Sequence, residues 1–178
     1  MIYDITQEMF GARVYPGDPQ PQFVRLKSFE AGDQSTVTQI TLQVHAGTHM
    51  DAPIHRERGG KGVDELALEK CIGEAEVIDY GNKAHLEATD AKRILLKNCE
   101  AMDEETALLL VRKGVLFVAA QGPSIGNRAV HHTLLQAEIV VLEGAVLEHV
   151  PEGQYMLYAP PILLGGCDGA PVRAVLIK

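Results

Sequence analysis

The chain has 178 residues, of which 46% are hydrophobic and 22% charged, and its formal net charge is −8 at pH 7. This length and balance predict a single globular domain, residues 1–178, with a sizeable core. The acidic balance argues against a nucleic-acid partner and against an anionic membrane surface, because both need basic patches. No apolar run approaches the length that a membrane-spanning helix requires.

The N-terminus and the cysteines indicate the compartment. The first residues carry neither a basic leader nor an apolar segment, so the sequence predicts no signal peptide. Three cysteines, Cys71, Cys99 and Cys167, are widely spaced and form no Cys-x-x-Cys pair. Reduced thiols fit this spacing better than a disulfide framework does. We therefore expect a cytoplasmic protein.

The first third of the chain is predicted to be mostly strands and turns. Alternation over 2–6 predicts a strand, and Pro-Gly in the segment 15–19 predicts a turn. Tyr15, at the start of that turn, is either a plain surface residue or an aromatic ring over a pocket. Residues 23–29 and 35–45 are predicted to form two strands of a hairpin that turns at Ala31-Gly32-Asp33.

The stretch 45–55 reads His-Ala-Gly-Thr-His-Met-Asp-Ala-Pro-Ile-His. Its histidines and aspartate occupy odd positions only: His45, His49, Asp51 and His55. Alternate side chains of a strand share a face, so a strand would direct the first three to one side. A helix would pair them at i, i+4, but a glycine and a proline within the span make a helix unfavourable.

The residues before this stretch continue the alternation. Ile40, Leu42 and Val44 are apolar at even positions, whereas positions 41 and 43 are polar. We therefore predict a strand with its even face in the core and its odd face on a polar site. Pro53 cannot donate a ladder hydrogen bond, so the strand should end there and place His55 on a loop over the site.

Neutral imidazoles and a carboxylate are ligands that zinc accepts, and manganese or iron(II) accept them too. The alternative is a polar edge strand with solvated histidines. A lone histidine would favour that alternative. Three histidines and an aspartate in phase favour a metal or catalytic site instead.

The remaining two thirds alternate helices and strands, which predicts a mixed α/β domain. A glycine-rich loop at 56–62 lacks the features of a phosphate loop. Predicted helical segments are 64–70, a short turn capped by Thr89-Asp90, 103–112 capped by Asp103 and closed by Gly114, and 127–138. Predicted strands are 76–80, 115–120, 139–147, 155–162 and 171–177, while 93–97 is ambiguous between helix and strand.

Two features of the later segments indicate further site residues. The helix 127–138 carries His131 and His132, and because neighbours on a helix point about 100° apart, only one of them should face the site. Glu143 interrupts an apolar strand, where a buried charge needs a partner or a cation. Alternatively, Glu143 has already reached solvent at the end of the strand. Asp168 is either a buried turn former or a partner of a site residue.

The pattern His-x-Gly-Thr-His-x-Asp-x-Pro-x-His resembles the signature of the metal-dependent cyclase family, whose best-known enzyme type is bacterial kynurenine formamidase. The C-terminal run Asp168-Gly-Ala-Pro-Val-Arg-Ala-Val-Leu also resembles the C-terminus of that family. The resemblance implies one metal held by two histidines and an aspartate. It implies a second metal that shares the aspartate and adds a later histidine and a glutamate, and the glutamate also reaches the first metal. It also implies one acid/base histidine. Carried onto this chain, the ligands are His45, His49, Asp51, His131 and Glu143, and the acid/base residue is His55; the spacing to Glu143 selects His131 over His132.

The resemblance also implies a fold and a reaction. The fold would be α/β with a mixed sheet of the swivelling β/β/α type, in a homodimer or higher homo-oligomer. The cofactor would be two Zn²⁺ per subunit, with Mn²⁺ as an alternative. The reaction would be hydrolysis of an N-formyl aryl amine, a small-molecule amide, by a metal-activated water. His55 would donate a proton to the departing nitrogen, and Tyr15 would pack on the aromatic ring.

Three departures from the formamidases concern the substrate. Tyr15 replaces their tryptophan, and this chain has no tryptophan. Gln121 stands where an aspartate is common in the family. The segment 124–131 is shorter than the corresponding segment of the formamidases. A hydrolase that opens a small cyclic amide or lactone of the isatin type therefore stays an alternative. A non-catalytic metal-binding module is another, against which the presence of His55 argues.

Overall fold

The computed structural model describes residues 1–178 and contains eleven strands and four α-helices. The strands are β1 Ile2–Asp4, β2 Gln22–Lys27, β3 Val37–Thr41, β4 His49–Asp51, β5 Ile72–Asp79, β6 Arg93–Lys97, β7 Phe117–Ala119, β8 Val140–Glu143, β9 Gly153–Tyr158, β10 Gly169–Pro171 and β11 Val175–Ile177. The helices are α1 Leu68–Cys71, α2 Lys83–Ala88, α3 Glu104–Arg112 and α4 Arg128–Gln136. None of these helices combines the length and apolar character needed to span a bilayer.

Nine strands form one mixed sheet in the order β1-β11-β9-β5-β6-β7-β8-β4-β10. The central strands β5 to β8 are parallel, and the flanking strands pair antiparallel. This architecture confirms the predicted mixed α/β fold. It also assigns the ambiguous segment 93–97 as a strand, β6, which lies between two parallel neighbours.

The sheet is buried on both faces, so its central strands are apolar throughout rather than alternating. In β6, Leu95 belongs to a core cluster of 19 residues on one face. Its neighbours Ile94 and Leu96 belong to a cluster of 17 residues on the other face. Helices α3 and α4 contribute Leu110 and Leu134 to that second cluster and cover it.

Two helices follow the sequence closely. Asp103 caps α3 by accepting a hydrogen bond from the backbone N–H of Thr106, and Gly114 follows at a left-handed φ of 62°. Asn127 caps α4 in the same way, through the N–H of Val130. The prediction of a helical turn capped by Thr89-Asp90 is wrong. Helix α2 begins earlier, capped by Asn82, and ends at Ala88, with Thr89 as its C-cap.

The prediction of a continuous strand from Ile40 to the end of the histidine motif is also wrong. Strand β3 ends at Thr41 and β4 begins at His49, because the chain turns between them and Gly47 adopts a φ of 63°. Ile40 is 57% exposed rather than in the core. The physical reason is that β2 and β3 form a separate two-stranded hairpin whose residues are all solvent-exposed.

Candidate metal centre

The antiparallel pairing of β4 with β8 builds the floor of the site. In this register His49 lies opposite Glu143 and Asp51 lies opposite Val141. Opposed residues share a face, so His49, Asp51 and Glu143 point to the same side of the sheet. Met50 and Leu142 point to the other side and enter the core. The alternation predicted for the motif therefore holds within β4, and Glu143 is buried rather than solvated.

Helix α4 brings His131 onto this floor. Its ring Nδ1 lies 3.1 Å from the backbone oxygen of Asn127, so Nδ1 carries the hydrogen and donates it. The other nitrogen, Nε2, lies 2.9 Å from Glu143 Oε1 and 3.4 Å from Asp51 Oδ2. His132 points away from the cluster: its ring is 54% exposed and pairs with Glu57 at 2.5 Å.

His49 is oriented in the same manner. Its Nδ1 lies 3.0 Å from the carbonyl oxygen of Gly47, to which it donates. Its Nε2 lies 3.4 Å from Asp51 Oδ1 and 3.3 Å from Glu143 Oε2. Backbone carbonyls thus set the tautomers of both buried histidines, as is common for metal-ligating imidazoles.

His45 and His55 close the cluster from the outside, through Asp168. Although His45 lies in the turn before β4, its Nδ1 is 2.9 Å from Asp51 Oδ1 and its Nε2 is 2.9 Å from Asp168 Oδ2. His55 ends a single 3-10 turn, Pro53–His55, and its Nδ1 is 3.4 Å from the same oxygen of Asp168. Its ring centroid is 4.2 Å from that of His45. Of the seven predicted site residues, the structure therefore brings six into one cluster, and only Tyr15 lies apart. The six are His45, His49, Asp51, His55, His131 and Glu143.

A supporting network that the sequence reasoning missed holds the two strand ends together. Thr48 Oγ1 donates to the backbone oxygen of Gly144 at 2.7 Å and accepts from the backbone N–H of Gln7 at 2.9 Å. The amide of Gln7 donates to the same oxygen of Gly144 at 2.8 Å. The residues joined by these contacts are at least 41 positions apart in the sequence. The local sequence pattern therefore could not predict the contacts.

The electrostatics show two buried carboxylates that require positive charge. Burial disfavours charge on the imidazoles, yet the adjacent carboxylates of Asp51 and Glu143 raise the pKa of His49 and of His131 to about 10. Burial also opposes ionisation of Asp51, but the adjacent imidazoles of His131, His45 and His49 hold its pKa well below the usual range. Protonated imidazoles or bound cations can both supply the charge that the carboxylates need.

The pKa values of the two outer histidines move in opposite directions. Burial opposes charge on His45, but its hydrogen bond to Asp51 raises its pKa above the ordinary value. Burial is the leading cause that lowers the pKa of His55. His55 is therefore the histidine of this cluster that favours the neutral form.

The donor set fits a divalent metal. His49 Nε2 and Asp51 Oδ2 are buried and have no hydrogen-bond partner, although both point into the cluster. Orphaned polar atoms of this kind call for a ligand, because an unsatisfied buried group is costly. Three groups place ligand atoms within 4.8 Å of one another: His45 with His49 and Asp51, Asp51 with His55 and His131, and His45 with His55 and Asp168.

Tyr15 and Gln121 lie outside this cluster. Tyr15 is 52% exposed and starts the predicted turn, in which its carbonyl accepts from the N–H of Asp18 at 3.0 Å. Gln121 is buried and accepts a hydrogen bond from the backbone N–H of Asn98. A cavity of about 870 Å³ lies elsewhere along β5 and β9, and none of the cluster residues lines it. The convergence of ligand atoms, not cavity size, therefore locates the site.

Comparison with known proteins agrees with the geometry. The sequence profile of the Cyclase family matches residues 3–143. A kynurenine formamidase of Salinibacter ruber is 35% identical, over 98% of this chain and 96% of its own length. A solved structure described as a potential metal-dependent hydrolase with cyclase activity is 28% identical and has a TM-score of 0.86, covering 99% of this chain and 96% of its own.

Isatin hydrolase A from Labrenzia aggregata shares the fold, with a TM-score of 0.83 at 18% identity over 99% of this chain and 93% of its own. The fold expected from the sequence resemblance is thereby confirmed. The family match covers residues 3–143 and includes every cluster residue except Asp168. This chain belongs to the Cyclase family.

Proposed function

We propose that this protein hydrolyses the C–N bond of an N-formyl aryl amine of the N-formylkynurenine type, in a metal-dependent reaction. The observation that carries the proposal is the convergence of His45, His49, Asp51, His131 and Glu143 around orphaned ligand atoms. The formamidase relative at 35% identity, aligned over nearly its full length, supports the same reaction.

Two divalent ions, most simply Zn²⁺ with Mn²⁺ as the alternative, are proposed to occupy the cluster. The two oxygens of Asp51 support this number: Oδ1 faces His45 and His49, whereas Oδ2 faces His131. The oxygens of Glu143 divide in the same way between His49 and His131. Carboxylates with this division suit a bridging role. When bound, such ions polarise a carbonyl group and make water a stronger acid.

His55 is proposed as the residue that moves the proton. It lies at the outer side of the cluster, where Asp168 contacts its Nδ1 and leaves Nε2 as the nitrogen that meets the substrate. An imidazole suits this task because its ordinary pKa lies near neutrality. Burial lowers the pKa of His55 and so favours the neutral form, which can accept a proton from the attacking water and give it to the departing nitrogen.

Tyr15 is proposed to pack against the aromatic ring of the substrate. Its ring is exposed and so available for contact. The segment before it is tied to the site, since Gln7 contacts Gly144 through its amide nitrogen and the backbone N–H of Arg13 through its amide oxygen. A tyrosine face can stack on an aryl group much as the larger tryptophan can.

The direct test is hydrolysis of N-formylkynurenine by purified protein before and after removal of metal. We expect turnover, its loss on treatment with a chelator, and its recovery on addition of Zn²⁺ or Mn²⁺. Isatin, assayed in parallel, tests the alternative that the enzyme opens a cyclic amide. That alternative predicts faster ring opening of isatin than deformylation of N-formylkynurenine. A metal-binding module without catalysis predicts binding of the ion but no hydrolysis of either compound.

Two properties of the whole protein are proposed alongside the reaction. We infer a homodimer, because the β2–β3 hairpin exposes apolar side chains that a lone two-stranded hairpin cannot bury: Phe23, Val24, Leu26, Phe29 and Ile40. Light scattering should give a molar mass of twice that of one chain. The double substitution Val24→Glu and Ile40→Glu should reduce the measured mass to that of a single chain. We also infer a cytoplasmic location, because all three cysteines are free.

A further inference from the structure

A second cavity, of about 420 Å³, is formed by residues that neighbour the candidate metal centre in the sequence. It is lined by Arg56, Arg128, Ala129 and His132. Two of these residues directly follow cluster members, since Arg56 comes after His55 and His132 comes after His131. The rings of His55 and His131 are 6.0 Å apart between centroids. The cavity therefore lies where the 3-10 turn and helix α4 approach one another.

The two arginines of this cavity have no partner within the protein. Arg56 and Arg128 are both exposed, and neither forms an ion pair or a side-chain hydrogen bond. Arg173 differs, because its guanidinium is held by Asp4 at 2.5 Å. Each unpaired guanidinium keeps five N–H donors available to a ligand, in a planar fork that matches a carboxylate.

The local charge contrasts with that of the whole chain. Acidic residues outnumber lysines and arginines by 24 to 16, so the protein as a whole repels anions. Arg128 opens α4, whose first N–H groups add partial positive charge, and it lies one turn before His132 on the same face. Glu57 is the acidic residue that contacts the lining of this cavity, and its carboxylate is paired with the ring of His132.

We propose that Arg56 and Arg128 form a subsite for a carboxylate of the substrate, so that the enzyme selects N-formyl aryl amines that bear an anionic group. This inference rests on the proposed function and narrows its substrate class. The carboxylate lies in the arginine cavity while the formyl amide reaches the neighbouring histidines. A bidentate guanidinium contact also fixes the orientation of the substrate, which a single point charge would not.

The test compares two substrates that differ in one charge, 2-formamidobenzoate and its uncharged amide 2-formamidobenzamide. The measured quantity is the ratio of kcat/KM for the anionic substrate to that for the neutral one. We expect Arg56→Gln and Arg128→Gln each to lower this ratio about 10-fold, mainly through KM, since charge-assisted hydrogen bonds at a solvent-exposed site have moderate strength. Arg56→Lys should recover part of the ratio.

Arg112→Gln is the matched control, because Arg112 is an exposed arginine at the end of α3 that lines a different cavity. It should leave the ratio unchanged. Added salt should reduce the ratio in the wild type, as screening weakens an exposed ion pair. An unchanged ratio in both cavity variants, or an equal fall in Arg112→Gln, would overturn the subsite.

A binding measurement keeps this test separate from the proposed function. Benzenesulfonate, titrated calorimetrically into zinc-loaded protein, probes the anion subsite without turnover. Binding that weakens in Arg56→Gln and Arg128→Gln but not in Arg112→Gln supports the subsite, and equal affinity in all four proteins rejects it. If the wild type hydrolyses neither formyl compound, the proposed function fails while the titration still decides whether the arginines bind an anion.

Discussion

The orientation of single side chains prepares this site for a cation. His49 and His131 each donate Nδ1–H to a backbone carbonyl and direct Nε2 toward the same two carboxylates. Asp51 and Glu143 are buried, so their charge must be balanced within the cluster. The residues proposed to hold the ion and the residue proposed to move the proton should therefore be separable by substitution.

His55 is expected to affect turnover without affecting metal content. Because His55 is proposed to transfer a proton, His55→Ala should lower kcat on N-formylkynurenine by roughly 10²–10⁴-fold. Metal content, measured by elemental analysis, should stay at the wild-type level. His149→Ala removes an exposed histidine that contacts Tyr3 instead, and it should leave kcat unchanged. Full activity in His55→Ala would exclude the proposed role.

The two adjacent histidines of α4 should differ in their effect on metal binding. His131 is buried with its Nε2 on Glu143 and Asp51, whereas the ring of His132 is exposed. We expect His131→Gln to lose one of two bound ions and His132→Gln to retain both. Elemental analysis of the two variants, purified in parallel, measures this. The reverse pattern would assign the ligand to His132.

At the scale of elements, the junction between the β4 and β8 ends depends on a glycine. Gly144 has a φ of 67°, and a Cβ there would lie 2.5 Å from the carbonyl oxygen of Gly47. That same carbonyl receives the N–H of His49. A side chain at this position would therefore disturb the orientation of His49 as well as the fold.

Gly144→Ala should destabilise the protein by more than Gly114→Ala. Gly114 has a similar φ of 62° but its Cβ would meet nothing nearer than 3.8 Å. The left-handed conformation alone costs about 1–2 kcal/mol for alanine, and the close contact at Gly144 should add about 1–3 kcal/mol. Urea unfolding of both variants measures the difference. Equal losses would show that the contact with Gly47 relaxes freely.

The start of α3 should make stability depend on pH. Burial opposes ionisation of Asp103, but hydrogen bonds from Tyr80, Thr106 and Lys83 hold its pKa below the ordinary value. A depressed carboxyl pKa stabilises the fold above the unfolded pKa of about 3.9, and this contribution is lost as pH falls toward the folded pKa.

We therefore expect wild-type protein to lose more stability between pH 6 and pH 3 than Asp103→Asn, whose amide oxygen still caps the helix but does not titrate. Asp103→Ala should cost about 1 kcal/mol at pH 7, because it removes the cap. Urea unfolding of the three proteins at both pH values gives the comparison. Parallel pH profiles for wild type and Asp103→Asn would rule out this coupling.

At the scale of the whole molecule, the sequence predicted what local pattern encodes. The cap Asp103, the apolar central strands and the phase of His49 with Asp51 all follow from the chemistry of neighbouring residues. The burial of Glu143 followed from its apolar surroundings. Each of these features can be recognised from a short segment of neighbouring residues.

What the sequence could not predict depends on distant contacts. Ile40 has the alternation of a core strand, yet its hairpin does not join the sheet, and no local residue marks that. Asp168 reaches His45 and His55 from more than a hundred positions away, and Thr48 reaches Gly144 across the sheet edge. Periodicity carries no information about such pairings.

The central claim is that distant parts of the chain enclose two divalent ions bridged by Asp51 and Glu143. Anomalous diffraction at the zinc edge, from crystals of protein grown with Zn²⁺, tests it most directly. We predict two anomalous peaks, one contacting His45, His49, Asp51 and Glu143 and the other contacting Asp51, Glu143 and His131. A single peak, or peaks that avoid Glu143 and His131, would contradict the claim.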